Sequence, residues 1–146
     1  MESSQMKNKR KAEKAIKSIL DLWQVRLYLH EWDISFSLQS QELPIDQQLG
    51  ECLADISADP VYLRAHVRVF PAFGTRDSYV QEAALVHELC HCITQEGRDL
   101  LSDSRLGKQV NVEQQRAVFE RLTQRVANVA MDDWRKPKVL GKPYAR

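Results

Sequence analysis

From Lys11 onward, apolar residues return at three- and four-residue spacing: Ala12, Ala15, Ile16, Ile19, Leu20, Trp23 and Leu27. That period predicts an amphipathic helix over roughly 10–29, with Lys14, Lys17, Asp21 and Arg26 on its wet side. Residues 1–10 read as a polar, frayed tail. The period then drops to two. Ile34, Phe36 and Leu38 alternate with Asp33, Ser35 and Ser37, which predicts a strand over Asp33–Gln39. Pro44 to Gln48 reads as a loop and Leu49–Ile56 as a second strand. Asp59-Pro60 marks a turn, and Val61–Phe70 alternates as a third strand. The short connections favour antiparallel pairing. After a loop from Pro71 to Asp77, Ser78 with Gln81 three positions on has the form of a capping box. The helix it opens is expected to run to about Glu96, with Gly97 as its stop. Residues 98–110 read as irregular. Asn111 can cap a last helix running to about Trp134, and Pro137, Gly141 and Pro143 keep the end of the chain out of regular structure.

These elements predict an α+β fold. A small, mainly antiparallel sheet packs on the helix that starts near Ser78, and the first and last helices close the core. The 146 residues suit one domain, 1–146, with 1–10 and 137–146 as flexible tails. A hydrophobic share of 43% is enough for a packed core. The net charge of +1 speaks against a dedicated nucleic-acid binder, and the basic run from Lys7 to Lys17 reads as a solvated face. There is no apolar run long enough for a membrane span, and no apolar stretch follows the basic N-terminus as a secretory signal requires. The 3 cysteines, with Cys90 and Cys92 only two positions apart, make no disulfide framework; a reducing, cytoplasmic setting is expected.

Candidate chemistry sits on the helix after Ser78. His87-Glu88-Leu89-Cys90-His91 is an H-E-x-x-H sequence. Residues four apart lie on one helical face, so the two imidazoles can converge on one zinc ion. Glu88 is about 100° round the helix and can take a proton from water beside that ion. Chance alone gives this pattern at roughly 0.7% for a chain of this composition, so it outweighs every other motif present. Catalytic zinc usually has a third protein ligand and one open position. No histidine follows His91, and Thr94 and Gly97 stand where the long metzincin motif has glycine and histidine. A carboxylate from the last helix is expected instead. Glu113, near the start of that helix, is preferred over Glu120, with Gln115, Asp103 and a water as further options. His66 is a candidate third ligand or oxyanion donor, beside its plain role as a strand residue. Tyr62, Tyr79 and Tyr144 are candidate oxyanion donors. Cys90 and Cys92 read as packing residues, and Trp23, Trp32 and Trp134 as core anchors.

With these residues in view, the sequence resembles a minimal zincin metallopeptidase of the gluzincin type. It is similar to the small H-E-x-x-H proteins of phages and prophages, and more distantly to SprT-like proteases of DNA-associated processes, whose downstream histidine is missing here. The resemblance rests on His87 to His91, the strand His66–Phe70 and the helix Val112–Met131; only the five-residue motif is specific. It implies zinc-dependent hydrolysis of a peptide or protein substrate, with His87 and His91 as ligands and Glu88 as general base. It also implies a sheet-edge strand that aligns an extended substrate by backbone pairing. Two other expectations remain open: a zinc-stabilised binding module without turnover, and a nucleic-acid-associated accessory protein using its basic ends.

Overall fold

In a computed structural model, residues 4–43, 52–103 and 112–135 are described. The element order is α1 (Ser4–Arg26), β1 (Asp33–Leu38), β2 (Ala54–Asp59), β3 (Arg64–Val69), a 3-10 turn (Pro71–Thr75), α2 (Ser78–Asp103) and α3 (Val112–Arg135). This is an α+β arrangement of three helices and one three-stranded sheet. The expected loop Pro44–Gln48, the cap Asn111 and the tail 137–146 lie outside the described residues.

The helix α1 begins at Ser4, inside the stretch expected to fray, and ends before residue 29. Its end is a Schellman turn: Leu29 N–H reaches Gln24 O at 2.8 Å and Tyr28 N–H reaches Val25 O at 3.1 Å. Tyr28 therefore sits in the left-handed region, with φ 58°. The Gln24 side chain seals the turn by donating to Leu29 O and Trp32 O.

The sheet is mixed, which corrects the mainly antiparallel expectation. Its order is β1-β3-β2, with β1 parallel to β3 and β2 antiparallel to it. The chain from β1 to β2 passes to the far side of the position β3 will take, so β3 enters between them. β2 is also displaced from the expected Leu49–Ile56. Asp59 Oδ1 accepts from Val61 N–H and Tyr62 N–H and, with Pro60, builds the turn. Residues 60–63 belong to that turn, Leu63 with φ 50°, so β3 starts at Arg64.

One face of the sheet carries Ala54, Ala65, Val67 and Val69, with Ile34, Phe36, Leu38 and Ile56 partly buried beside them. Against it lie Ile16, Leu20 and Trp23 of α1 and Leu85, Val86 and Leu89 of α2. Trp23 is fully buried, and its indole N–H donates to Glu82 Oε1 of α2 at 2.8 Å. Each large side chain here contributes about 1.5–3 kcal/mol by leaving water. Trp134 is not a core anchor: it is half exposed, and the Arg26 guanidinium stacks 4.3 Å from its ring. The other face of the sheet is polar, with Ser35, Ser37, His66 and the Arg68–Asp55 ion pair.

Two details of α2 position the site. Asp77, not Ser78, is its cap: Asp77 Oδ1 accepts from Val80 N–H at 2.9 Å. Gln81 instead anchors the preceding turn through Phe73 O and Arg76 O. The helix also runs through Gly97 to Asp103. Gly97 lies beside the ring of Phe119 on α3, so it is a point of helix–helix approach and not a stop. Packing there outweighs the roughly 1 kcal/mol that glycine costs within a helix.

Candidate metal centre

His87 and His91 stand one turn apart on α2, as their spacing requires, with ring centroids 5.0 Å apart and planes at 82°. They face α3, and the α3 residue that meets them is Glu120. Its two oxygens divide between the rings: Oε2 is 3.5 Å from His87 Nε2 and Oε1 is 3.6 Å from His91 Nε2. Both distances exceed an ordinary hydrogen bond. They are close to the edge, roughly 3.3–3.4 Å, of a tetrahedron whose centre-to-ligand bonds are 2.0–2.1 Å. Each ring thus has its own Glu120 oxygen nearby. The imidazoles are largely covered, with 19% and 16% of their side-chain surface exposed, while the Glu120 side chain is 44% exposed.

Glu88 lies beside this set. His87, Glu88 and His91 each offer a ligand atom within 4.8 Å of the others. Two carboxylates therefore flank the histidines, and Glu120 is the one with an oxygen near each Nε2. Glu88 is 9% exposed, and burial pushes its carboxyl well above the usual range, with further upward pushes from the negative charges of Glu120 and Asp55. Burial lowers the pKa of His91 below the ordinary value; Glu120 opposes that, while His87 and Arg98 add to it. Neutral imidazole is the form that binds metal.

The remote nitrogens of the two rings are held differently. His91 Nδ1 lies 3.4 Å from Thr123 Oγ1, which lies 2.9 Å from Thr94 Oγ1; both threonines are buried. His87 Nδ1 is buried with no hydrogen-bond partner.

Glu113 is exposed in the first turn of α3 and is not the carboxylate brought to the histidines. It precedes Glu120 by two turns, about 10 Å along the helix axis. α3 runs back across α2, with Phe119 against Gly97 and Thr123 against Thr94, so the middle of α3 meets the motif. Gln115 is buried, and the Asp103 side chain lies outside the described residues. His66 is on the opposite, polar face of the sheet. Its Nδ1 and Nε2 are each 2.8 Å from a hydroxyl, Ser35 and Ser37, so both nitrogens are occupied. Tyr62 and Tyr79 are exposed, and Tyr144 lies outside the described residues. Cys90 and Cys92 are buried, and burial first, then neighbouring negative charge, pushes both thiols up to about 12. They remain protonated packing residues. The sequence reading missed Thr94 and Thr123. Thr94 falls three residues after His91 and Thr123 three after Glu120, positions that share a helical side with the ligand candidates.

Two exposed lysines of α1 pair along their own helix, Lys17 with Asp21 and Lys9 with Glu13. Among the described residues, no helix is long and apolar enough to cross a membrane. No family model, curated protein or solved structure compared with this chain matches it.

Proposed function

We propose that the protein is a zinc-dependent metallopeptidase of the minimal zincin kind, and that Glu120 completes the ligand set of His87 and His91. The observation that carries this reading is the division of one carboxylate between two Nε2 atoms at 3.5 and 3.6 Å, beside a buried Glu88. A bound zinc ion supplies Lewis acidity there, acidifying water and polarising a carbonyl. The residues do the rest. His87 and His91 present their Nε2 atoms, and Glu120 adds a carboxylate while leaving its exposed side to solvent and substrate. Glu88 accepts the proton of the attacking water and returns it to the leaving amine. Its carboxyl, pushed up by burial, suits a base that must hold and then release a proton.

The edge strand β2 supports a peptide substrate. Phe70 N–H donates to Leu53 O at 3.0 Å, and Ala54 pairs with Val69. By antiparallel alternation, the backbone groups of Ala54, Ile56 and Ala58 then turn away from β3 toward the open edge. Among the described residues β2 has no strand neighbour but β3. Cys52 Sγ–H covers one of these groups, Ala54 O, at 3.2 Å. β2 packs against α2, so an extended peptide added to this edge runs past the motif. Three free cysteines suit a reducing compartment such as the cytoplasm.

The test is Glu88→Gln, which keeps size and hydrogen bonding but removes the base. Zinc content should stay near one ion per chain, and hydrolysis of unfolded casein or a peptide library should fall by about two to four orders of magnitude. Undiminished hydrolysis in the variant would refute the role of Glu88. Zinc bound by a wild type that cleaves nothing in the library would replace the peptidase with a zinc-stabilised binding module.

A further inference from the structure

The contacts behind His91 form a chain. Thr94 Oγ1 lies 3.4 Å from Cys90 O, within reach for donation, and Cys90 O is a backbone carbonyl that can only accept. If the Thr94 hydrogen goes there, Thr94 Oγ1 is left to accept from Thr123, 2.9 Å away. The single hydrogen of Thr123 is then spent, so its oxygen can only accept from His91 Nδ1 at 3.4 Å. Each hydroxyl has one hydrogen to give, so a Thr94 hydrogen placed on a carbonyl sets the direction of the contacts that follow. The same order follows if Thr94 donates to His91 O at 3.5 Å instead.

We propose that the buried Thr123–Thr94 pair is a positioning device that holds the proton of neutral His91 on Nδ1 and so keeps the Nε2 lone pair free toward Glu120. The consequence for metal affinity rests on the reading of His91 as a zinc ligand; the consequence for the tautomer does not. The contacts at the ring end and the carbonyl end are long, so they carry direction more than strength. Thr123 is fully buried, which shields the ring-side contact from water. Partners of this kind commonly tune a metal-binding histidine through its remote nitrogen. His87, whose Nδ1 has no partner, lacks the device.

The experiment uses the whole chain, with the tautomer of His91 read by long-range nitrogen–proton correlation NMR on metal-free protein at about pH 8. Zinc affinity is read by competition with a chromophoric chelator. Wild type should show the Nδ1–H form. Thr123→Val keeps the shape and removes the hydroxyl; it should shift His91 toward the Nε2–H form and weaken zinc binding by about 10–100-fold. Thr123→Ser should restore both. Thr94→Val is a second route should the first variant fold poorly. It frees the Thr123 hydrogen to point at Nδ1, and it should also favour Nε2–H. A wild-type His91 in the Nε2–H form, or Nδ1–H retained in both valine variants, would overturn the proposal. If wild type binds no zinc, the ligand reading fails, and the tautomer of the same samples still decides for or against the device.

Discussion

Two regions of this molecule place histidine beside oxygen, and they do so in opposite ways. On the outer face of the sheet, His66 has a serine hydroxyl 2.8 Å from each nitrogen, a closed arrangement with nothing left to bind. Under α3, His87 and His91 keep their Nε2 atoms 3.5 and 3.6 Å from Glu120, too far for good hydrogen bonds. A histidine with both nitrogens satisfied is a structural member of its strand. A pair whose nitrogens approach a carboxylate without bonding it keeps those nitrogens available, which is what the proposed metal centre requires.

The strongest way to break this contrast is to remove a ring. His87→Ala or His91→Ala should lower zinc from about one ion per chain to below about a tenth, read by elemental analysis of protein purified without chelator. Zinc retained by the double variant would erase the contrast altogether. A second measurement sharpens the carboxylate side. Glu120→Ala should weaken zinc affinity by about 100-fold or more, above what an outer partner is worth, whereas Glu113→Ala should change it by no more than about twofold. The reverse order would put the ligand in the first turn of α3.

A smaller effect is expected on stability without metal. Burial, with Glu120 and Asp55, raises the folded-state pKa of Glu88 above its ordinary 4.5. The folded chain then binds this proton more tightly than the unfolded one. Its contribution to stability is complete below about pH 4.5 and is lost as pH rises through the folded-state value. In chelated protein, thermal unfolding of wild type and Glu88→Gln should coincide most closely near pH 4.5, with the variant gaining relative stability toward pH 8. A constant difference across that range would show that Glu88 is not held in its protonated form. The smallest effect belongs to the outer face. His66→Ala should cost about 0.5–1.5 kcal/mol per lost hydrogen bond and leave zinc content unchanged, measured by denaturant unfolding and elemental analysis.

The motif helix and the histidine face were legible because period and spacing are local properties of a helix. Three features were not. Glu113 and Glu120 are seven residues apart and differ by only about 20° around the helix, so a helical wheel cannot separate them; what decides is where α3 crosses α2. Gly97 carries the signature of a stop, yet its meaning depends on Phe119 of another helix. β2 turns Ala54 and Ala58 inward, two small residues that give alternation little contrast. Its sequence neighbour β1 ends up paired with β3 instead, a choice that no short-range pattern records. The α+β class could be read from the order of elements, and the parallel pair could not.

That parallel pair has a consequence for synthesis. β2 and β3 are joined by a short turn and can close on each other soon after both exist. β1 pairs only with β3 among the described strands, Asp33 with Arg64 and Leu38 with Val69. On the ribosome β1 emerges before Val69 does, with its backbone edge unpaired. Throughout that interval another nascent chain or a chaperone competes for the same hydrogen bonds. The centre of this sheet is the last strand made, so the first strand must wait for it.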